Sequence, residues 1–182
     1  MNDKSILEEA LNYANELSES RQIKGFLIQV KDLIFEERIK MKCFYCGRYG
    51  NNWRCPPKIP DIDYCKMLHE FNNCAVIYVQ IPFSDENFDE IRTESSRILH
   101  KGILAMEKYL WNQDYPTYLS FIGGACKLCK NGCGKEKCNN PYLSRTPVEA
   151  IGVNLVKSLE KYDFHISFPP KDYITRCGLL LW

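Results

Sequence analysis

Apolar residues recur along this chain with two periods, one helical and one of strands, and the segments alternate. Ile6, Leu7, Ala10, Leu11, Ala14 and Leu17 follow helical spacing behind Ser5-Ile6-Leu7-Glu8, a capping-box pattern. Phe26 to Val30 reads as a short strand, and residues 32–41 as a short helix or an irregular lead. Asp61 is placed to cap a helix with Tyr64, Met67, Leu68 and Phe71 on one face. Cys74 to Ile81 is an apolar, β-branched run stopped by Pro82, the pattern of a buried strand. Asp85 opens the longest predicted helix, with the stripe Phe88, Ile91, Ile98, Leu99, Ile103, Met106 and Leu110. Thr117 to Ile122 is a further strand. Thr146-Pro147-Val148-Glu149 combines a cap, a first-turn proline and a capping-box glutamate, so a helix with Ile151, Leu155, Val156 and Leu159 is expected to follow. Phe164 to Phe168 and Tyr173 to Leu181 read as two last strands, a hairpin around Pro169-Pro170. This order predicts an α+β fold (or α/β sandwich): one domain over residues 1–182, with helices packed on a mixed β-sheet.

Composition changes this picture little. The length suits one domain with a real core, and a formal net charge of +1 selects no partner. The acidic start Met1-Asn2-Asp3-Lys4 lacks the pattern of a signal peptide, and no apolar run approaches the roughly 18 residues of a membrane span. Ten cysteines in 182 residues fall short of the roughly 8–10% of a disulfide scaffold. A cytoplasmic location follows as the expectation, and there clustered cysteines bind metal or do redox chemistry.

Seven of the ten cysteines form two clusters, in loops 43–57 and 123–141. The second, Cys126, Cys129, Cys133 and Cys138, has the spacing C-x2-C-x3-C-x4-C-x2-P, a looser form of the ferredoxin run C-x2-C-x2-C-x3-C-P. A cubane accepts one thiolate at each iron, so one tight loop can wrap it. Gly123, Gly124, Gly132 and Gly134 allow the backbone to come close to inorganic sulfide. Zinc is the alternative, but its sites usually pair two C-x2-C knuckles about 15–20 residues apart. The first cluster, Cys43, Cys46 and Cys55 before Pro56-Pro57, offers three thiols. Its fourth ligand is open: a lone cysteine such as Cys65, a ligand exchanged between loops, or a non-cysteine group at a reactive iron. Core packing is the expectation for Cys65, Cys74 and Cys177. His69, His100 and His165 form no metal-binding pair at helical spacing.

Cations crowd both loops. Arg38, Lys40, Lys42, Arg48, Arg54 and Lys58 accompany the first, and Lys127, Lys130, Lys135, Lys137 and Arg145 the second. They suit a negatively charged cluster, or the docking of an acidic redox partner protein. Nucleic acid is the weaker partner class, resting on Tyr45, Tyr49 and Trp53 as stacking rings that could equally shield a cluster. The chain carries no Walker loop, dinucleotide fingerprint or nucleophile elbow. The spacing of Cys126, Cys129 and Cys133 reverses the radical-SAM order C-x3-C-x2-C, which argues against that class.

Three segments together resemble the domain-of-unknown-function 2284 family of cysteine-rich, predicted metal-binding proteins. They are Cys43-x2-Cys46-x2-Tyr49-Gly50 with Trp53-x-Cys55-Pro56-Pro57, then Gly123-Gly124-x-Cys126-x2-Cys129 with Cys133, Cys138 and Pro141, and last Arg145-Thr146-Pro147-Val148-Glu149-Ala150-x-Gly152. The resemblance runs from about residue 25 to the end, and implies small cytosolic proteins of anaerobic prokaryotes, suspected of holding iron–sulfur clusters, with no established reaction. The functional expectation is a protein with one or two 4Fe-4S clusters and an electron-transfer or redox-accessory role. The alternatives are a reductase with an incompletely ligated cluster at its active site, and a zinc-stabilised interaction module. Whether the chain is itself an enzyme stays open; the class it would join is an oxidoreductase component.

Overall fold

The structure is a computed structural model that describes residues 2–18 and 22–182. Among the described residues, five α-helices and a mixed five-stranded sheet give an α+β fold. The strands are β1 (Lys24–Ile28), β2 (Cys74–Pro82), β3 (Leu119–Ile122), β4 (Thr146–Pro147) and β5 (Tyr173–Leu181), in the order β1-β2-β5-β3-β4. All neighbours are antiparallel except β3 and β4, which run parallel with Phe121 opposite Thr146. The parallel step has a consequence for the site. The chain must leave the end of β3 and loop back before entering β4, and the second cysteine cluster occupies that excursion.

The period-two pattern of the strands divides the sheet between two cores. Ala75, Ile77 and Val79 of β2 and Leu180 of β5 face α1 (Asp3–Leu17) and α4 (Phe88–Asn112), meeting Ile6, Leu7, Ala10, Leu99, Ile103 and Met106. Cys74, Val76, Cys177, Leu179 and Leu181 face the other way, onto Leu68 of α3 (Tyr64–Leu68), Leu155 and Leu159 of α5 (Leu155–Glu160), and Val148, Ile151 and Val153. The remaining helix, α2 (Glu37–Tyr45), buries no residue and packs on the 3-10 turn Val148–Ile151. The Glu36 N–H donates to Gly152 O at 2.9 Å, and the Asn154 N–H to Ile34 O at 2.7 Å, fixing that docking.

Several expectations change. Asn2, not Ser5, caps α1 by accepting the Ser5 N–H, and Ser5 instead donates to Glu9. Leu17 is exposed. Asp63 caps α3, and Asn87 precedes α4. The helix expected from Thr146 does not start there: Thr146 and Pro147 pair with β3, and a short 3-10 turn ends at Gly152, with φ 88°. Proline disfavours helix in the residue before it, so Thr146 stays extended and takes the strand position beside Phe121. The helix begins only at Leu155, capped by Asn154. Residues 164–168 form no strand; Phe164 packs its ring against Phe26 and Tyr78.

Candidate metal centre

Cys43 sits in the last turn of α2 and Cys46 caps that helix, so a rigid element delivers the first two thiols. The chain then turns through Arg48–Asn52 to Cys55, which is buried. At the far side β3 ends in Gly123. A Cβ there would stand 2.3 Å from the carbonyl oxygen of Cys177, so the close approach to β5 admits only glycine. Sheet packing, rather than access to sulfide, explains that residue. Gly124 follows with φ 74° and turns the chain off the sheet toward Cys126. Cys126, Cys129, Cys133 and Cys138 then lie along one irregular segment, all partly buried.

The two loops close on each other. Asn52, buried beneath them, donates its side-chain N–H to Cys126 O at 3.3 Å and accepts the Arg54 N–H at 2.9 Å. Trp53 donates its indole N–H to Gly134 O at 2.7 Å, with Lys58 Nζ 4.0 Å from the ring centroid on its face. Arg54 reaches Ser144 Oγ at 2.6 Å and Pro141 O at 2.5 Å. Trp53 and Arg54 therefore act as struts between loops. The result is one cavity of about 590 Å³ lined by all seven clustered cysteines.

Cys65 takes no part. It is exposed on α3 beside His69, against the expectation of core packing, because this five-residue helix buries only Leu68. Cys74 and Cys177 are buried in the core. None of the three histidines is in the lining; His100 is buried and bonds Leu143 O through Nε2 at 2.9 Å.

The electrostatics of the cavity are lopsided. Lys42, Arg48, Arg54, Lys127 and Lys130 line it, as anticipated near the cysteines, and α4 and β5 add Arg92, Arg97 and Arg176. These three arginines are far from both clusters in sequence, and only the fold brings them in. Arg38, Lys40 and Arg145 are instead engaged by Glu36, Glu37 and Glu107. Burial and then Arg176, Arg92, Arg48 and Arg97 push Lys127 down to about 8. Among the described residues the sole acid in the lining is Glu149, the residue expected to cap a helix.

Burial disfavours the thiolate at Cys43, Cys55 and Cys126. Burial, then Cys46 and Glu149, raises Cys43 to about 11; burial, then Cys46, Cys43, Cys126 and Cys133, raises Cys55 to about 12. Burial also raises Cys126, helped by Cys133, Cys129 and Cys138. Cys126 and Cys133 of the second loop thus add to the rise at Cys55 of the first, an electrostatic link between the two clusters. Asn140 donates to Cys129 Sγ at 3.1 Å, a hydrogen bond of the kind that tunes a metal-bound sulfur. Among the described residues no three His, Cys, Asp or Glu side chains gather closely enough for a single metal ion. The thiols ring a hollow, and a multi-iron group takes its thiolates at separate irons. Soft donors around a cation-rich wall thus fit such a group.

An α+β scaffold carrying a thiol-lined, positively charged cavity defines a candidate metalloprotein. The chain belongs to the family described as "Predicted metal-binding protein (DUF2284)", whose model matches residues 26–182. That membership supports a metal cofactor in general terms. No curated protein and no solved structure is significantly similar to the chain. Among the described residues no helix is long and apolar enough to cross a membrane.

Proposed function

We propose that this protein holds one or two 4Fe-4S clusters in the thiol-lined cavity and serves electron transfer, or redox support, to a partner protein. The observation that carries the reading is the meeting of seven thiols from two loops, more than 60 residues apart in sequence, around one hollow. Cys126, Cys129, Cys133 and Cys138 are the ligand set of one cluster, and Cys43, Cys46 and Cys55 supply three ligands to a second. When bound, such a cluster stores and passes single electrons. The chain's own residues set the conditions. Arg176, Lys127 and the neighbouring arginines offset thiolate charge, the Asn140 amide holds the Cys129 sulfur, and Trp53 covers one side of the loops. Lowered negative charge favours reduction, so this wall shifts the potential upward.

The second reading is a reductase whose substrate meets an incompletely ligated cluster. It is favoured by the three-thiol first loop opening into the same cavity. Zinc in place of iron would point to an interaction module instead. Anaerobic purification followed by iron, acid-labile sulfide and zinc analysis tests all three. Brown protein with iron and sulfide in equal amounts is the expected result. Colourless protein holding zinc alone overturns the proposal.

A further inference from the structure

We infer that Glu149 supplies an oxygen ligand to the metal centre held by Cys43, Cys46 and Cys55, completing the set that the first loop leaves short. The inference rests on the cluster reading above and deepens it. Its basis is placement. Glu149 lies on the 3-10 turn against which α2 packs, and α2 carries Cys43 and ends at Cys46. The docking is tight: a Cβ on Gly152, three residues on, would stand 2.9 Å from the Lys40 side chain of α2. The Glu149 side chain is exposed, and it lines the cavity, so it faces the hollow that the thiols line.

The carboxylate is also short of partners. Oε2 accepts the Gly124 N–H at 3.3 Å, and the one further hydrogen bond to the carboxylate among the described residues comes from the backbone N–H of Glu149 itself. Arg176 is the obvious counter-charge, but its guanidinium is directed to Ser95 Oγ at 3.4 Å and Arg92 O at 3.2 Å, and it forms no salt bridge with Glu149 among the described residues. A carboxylate that lines the cavity with no salt-bridge partner among the described residues is open to a cation held in the hollow. A metal beside Cys43 is that cation, and a carboxylate oxygen is an ordinary donor for iron.

The test compares anaerobically reconstituted wild type with Glu149→Gln and Glu149→Cys, by iron and sulfide analysis and by electron paramagnetic resonance before and after mild ferricyanide oxidation. Glutamine keeps an acceptor for Gly124 and removes the anionic ligand; cysteine restores an anionic one, as a thiolate. Glu149→Gln should give a three-iron signal several-fold stronger than wild type after oxidation, from loss of the iron that lacks a protein ligand. Glu149→Cys should suppress that signal to or below the wild-type level. Circular dichroism on all three separates this pattern from misfolding, since a folding defect would not be repaired by the shorter cysteine side chain. Iron present and oxidation behaviour identical in the three proteins overturns the role of Glu149 and leaves the cluster reading standing. Wild type devoid of iron overturns both.

Discussion

Between the sheet and helices α1 and α4, Leu99, Ile103, Met106 and Leu180 are sealed from solvent among other apolar side chains. At the cysteine cavity the lining includes seven thiols, eight cationic side chains and one carboxylate, and the loops are joined by side-chain struts such as Trp53 and Arg54. The first region is stable through burial of its own surface and through strand ladders. The second holds like charges together and buries Cys55 and Cys126, which disfavours their thiolates, and a bound metal is the stabilising ligand we propose for it. The difference teaches that one short chain can divide the work. The sheet fixes where the loops begin and end, and on the proposed reading metal binding would supply folding free energy for the loops themselves.

The largest effect should appear on removing the metal. Amide exchange in residues 38–58 and 123–145 should accelerate by orders of magnitude, while α4 and β2 stay protected. Equal protection with and without metal would erase the contrast between the regions. From the other side, Ile103→Ala removes a fully buried side chain of α4 and should cost about 2–5 kcal/mol in denaturant unfolding. Metal bound per folded chain should not change; a parallel loss of metal would mean that core and cavity fold as one unit. Arg54→Ala removes the struts to Ser144 and Pro141 and should cost about 1.5–3 kcal/mol. It should also speed metal loss to a chelator, the property that Ile103→Ala spares.

A smaller effect concerns pH. Burial raises the thiols of Cys74 and Cys177, on the core side, to about 12. The folded state therefore keeps these protons after the unfolded chain has released them. Their contribution is complete below the ordinary thiol pKa of about 8.5 and is lost as pH rises toward the folded value. Metal-free protein should unfold at lower denaturant at pH 10 than at pH 8. Replacing both residues by alanine should flatten that slope, and an unchanged slope would remove the core thiols from the account.

Much of the scaffold was legible because it rests on local patterns. The run from Cys74 became β2, and the stripe through Leu99 to Leu110 became the buried face of α4. The C-x-x-C spacings marked the cysteines that meet at the cavity. What escaped depends on distant partners. Thr146-Pro147-Val148-Glu149 carries every local mark of a helix start, yet β3 offers Thr146 a strand position and leaves Glu149 in the cavity wall. Phe164 reads as a strand residue but satisfies its apolar ring against Phe26 and Tyr78. Arg92, Arg97 and Arg176 look like ordinary surface charges until α4 and β5 are laid beside the second loop. There Arg97 bonds Lys127 O at 3.2 Å and Lys127 bonds Arg92 O at 3.3 Å. Cys65 shares its residue type with the clustered thiols, and only the short α3 shows that it points outward.

The state of individual sulfurs distinguishes a metal-loaded cavity from an empty one most directly. Native protein, loaded with metal or stripped of it, can be alkylated under anaerobic conditions and each cysteine quantified by mass spectrometry. Cys43, Cys46, Cys55, Cys126, Cys129, Cys133 and Cys138 should be protected together in the loaded protein and labelled in the stripped one. Exposed Cys65 should be labelled in both. Exposed Cys46 is the most telling position, since only a bound metal can shield it. Labelling of Cys46 and the four second-loop cysteines that is the same in both states would contradict the assignment of the cavity as the metal centre.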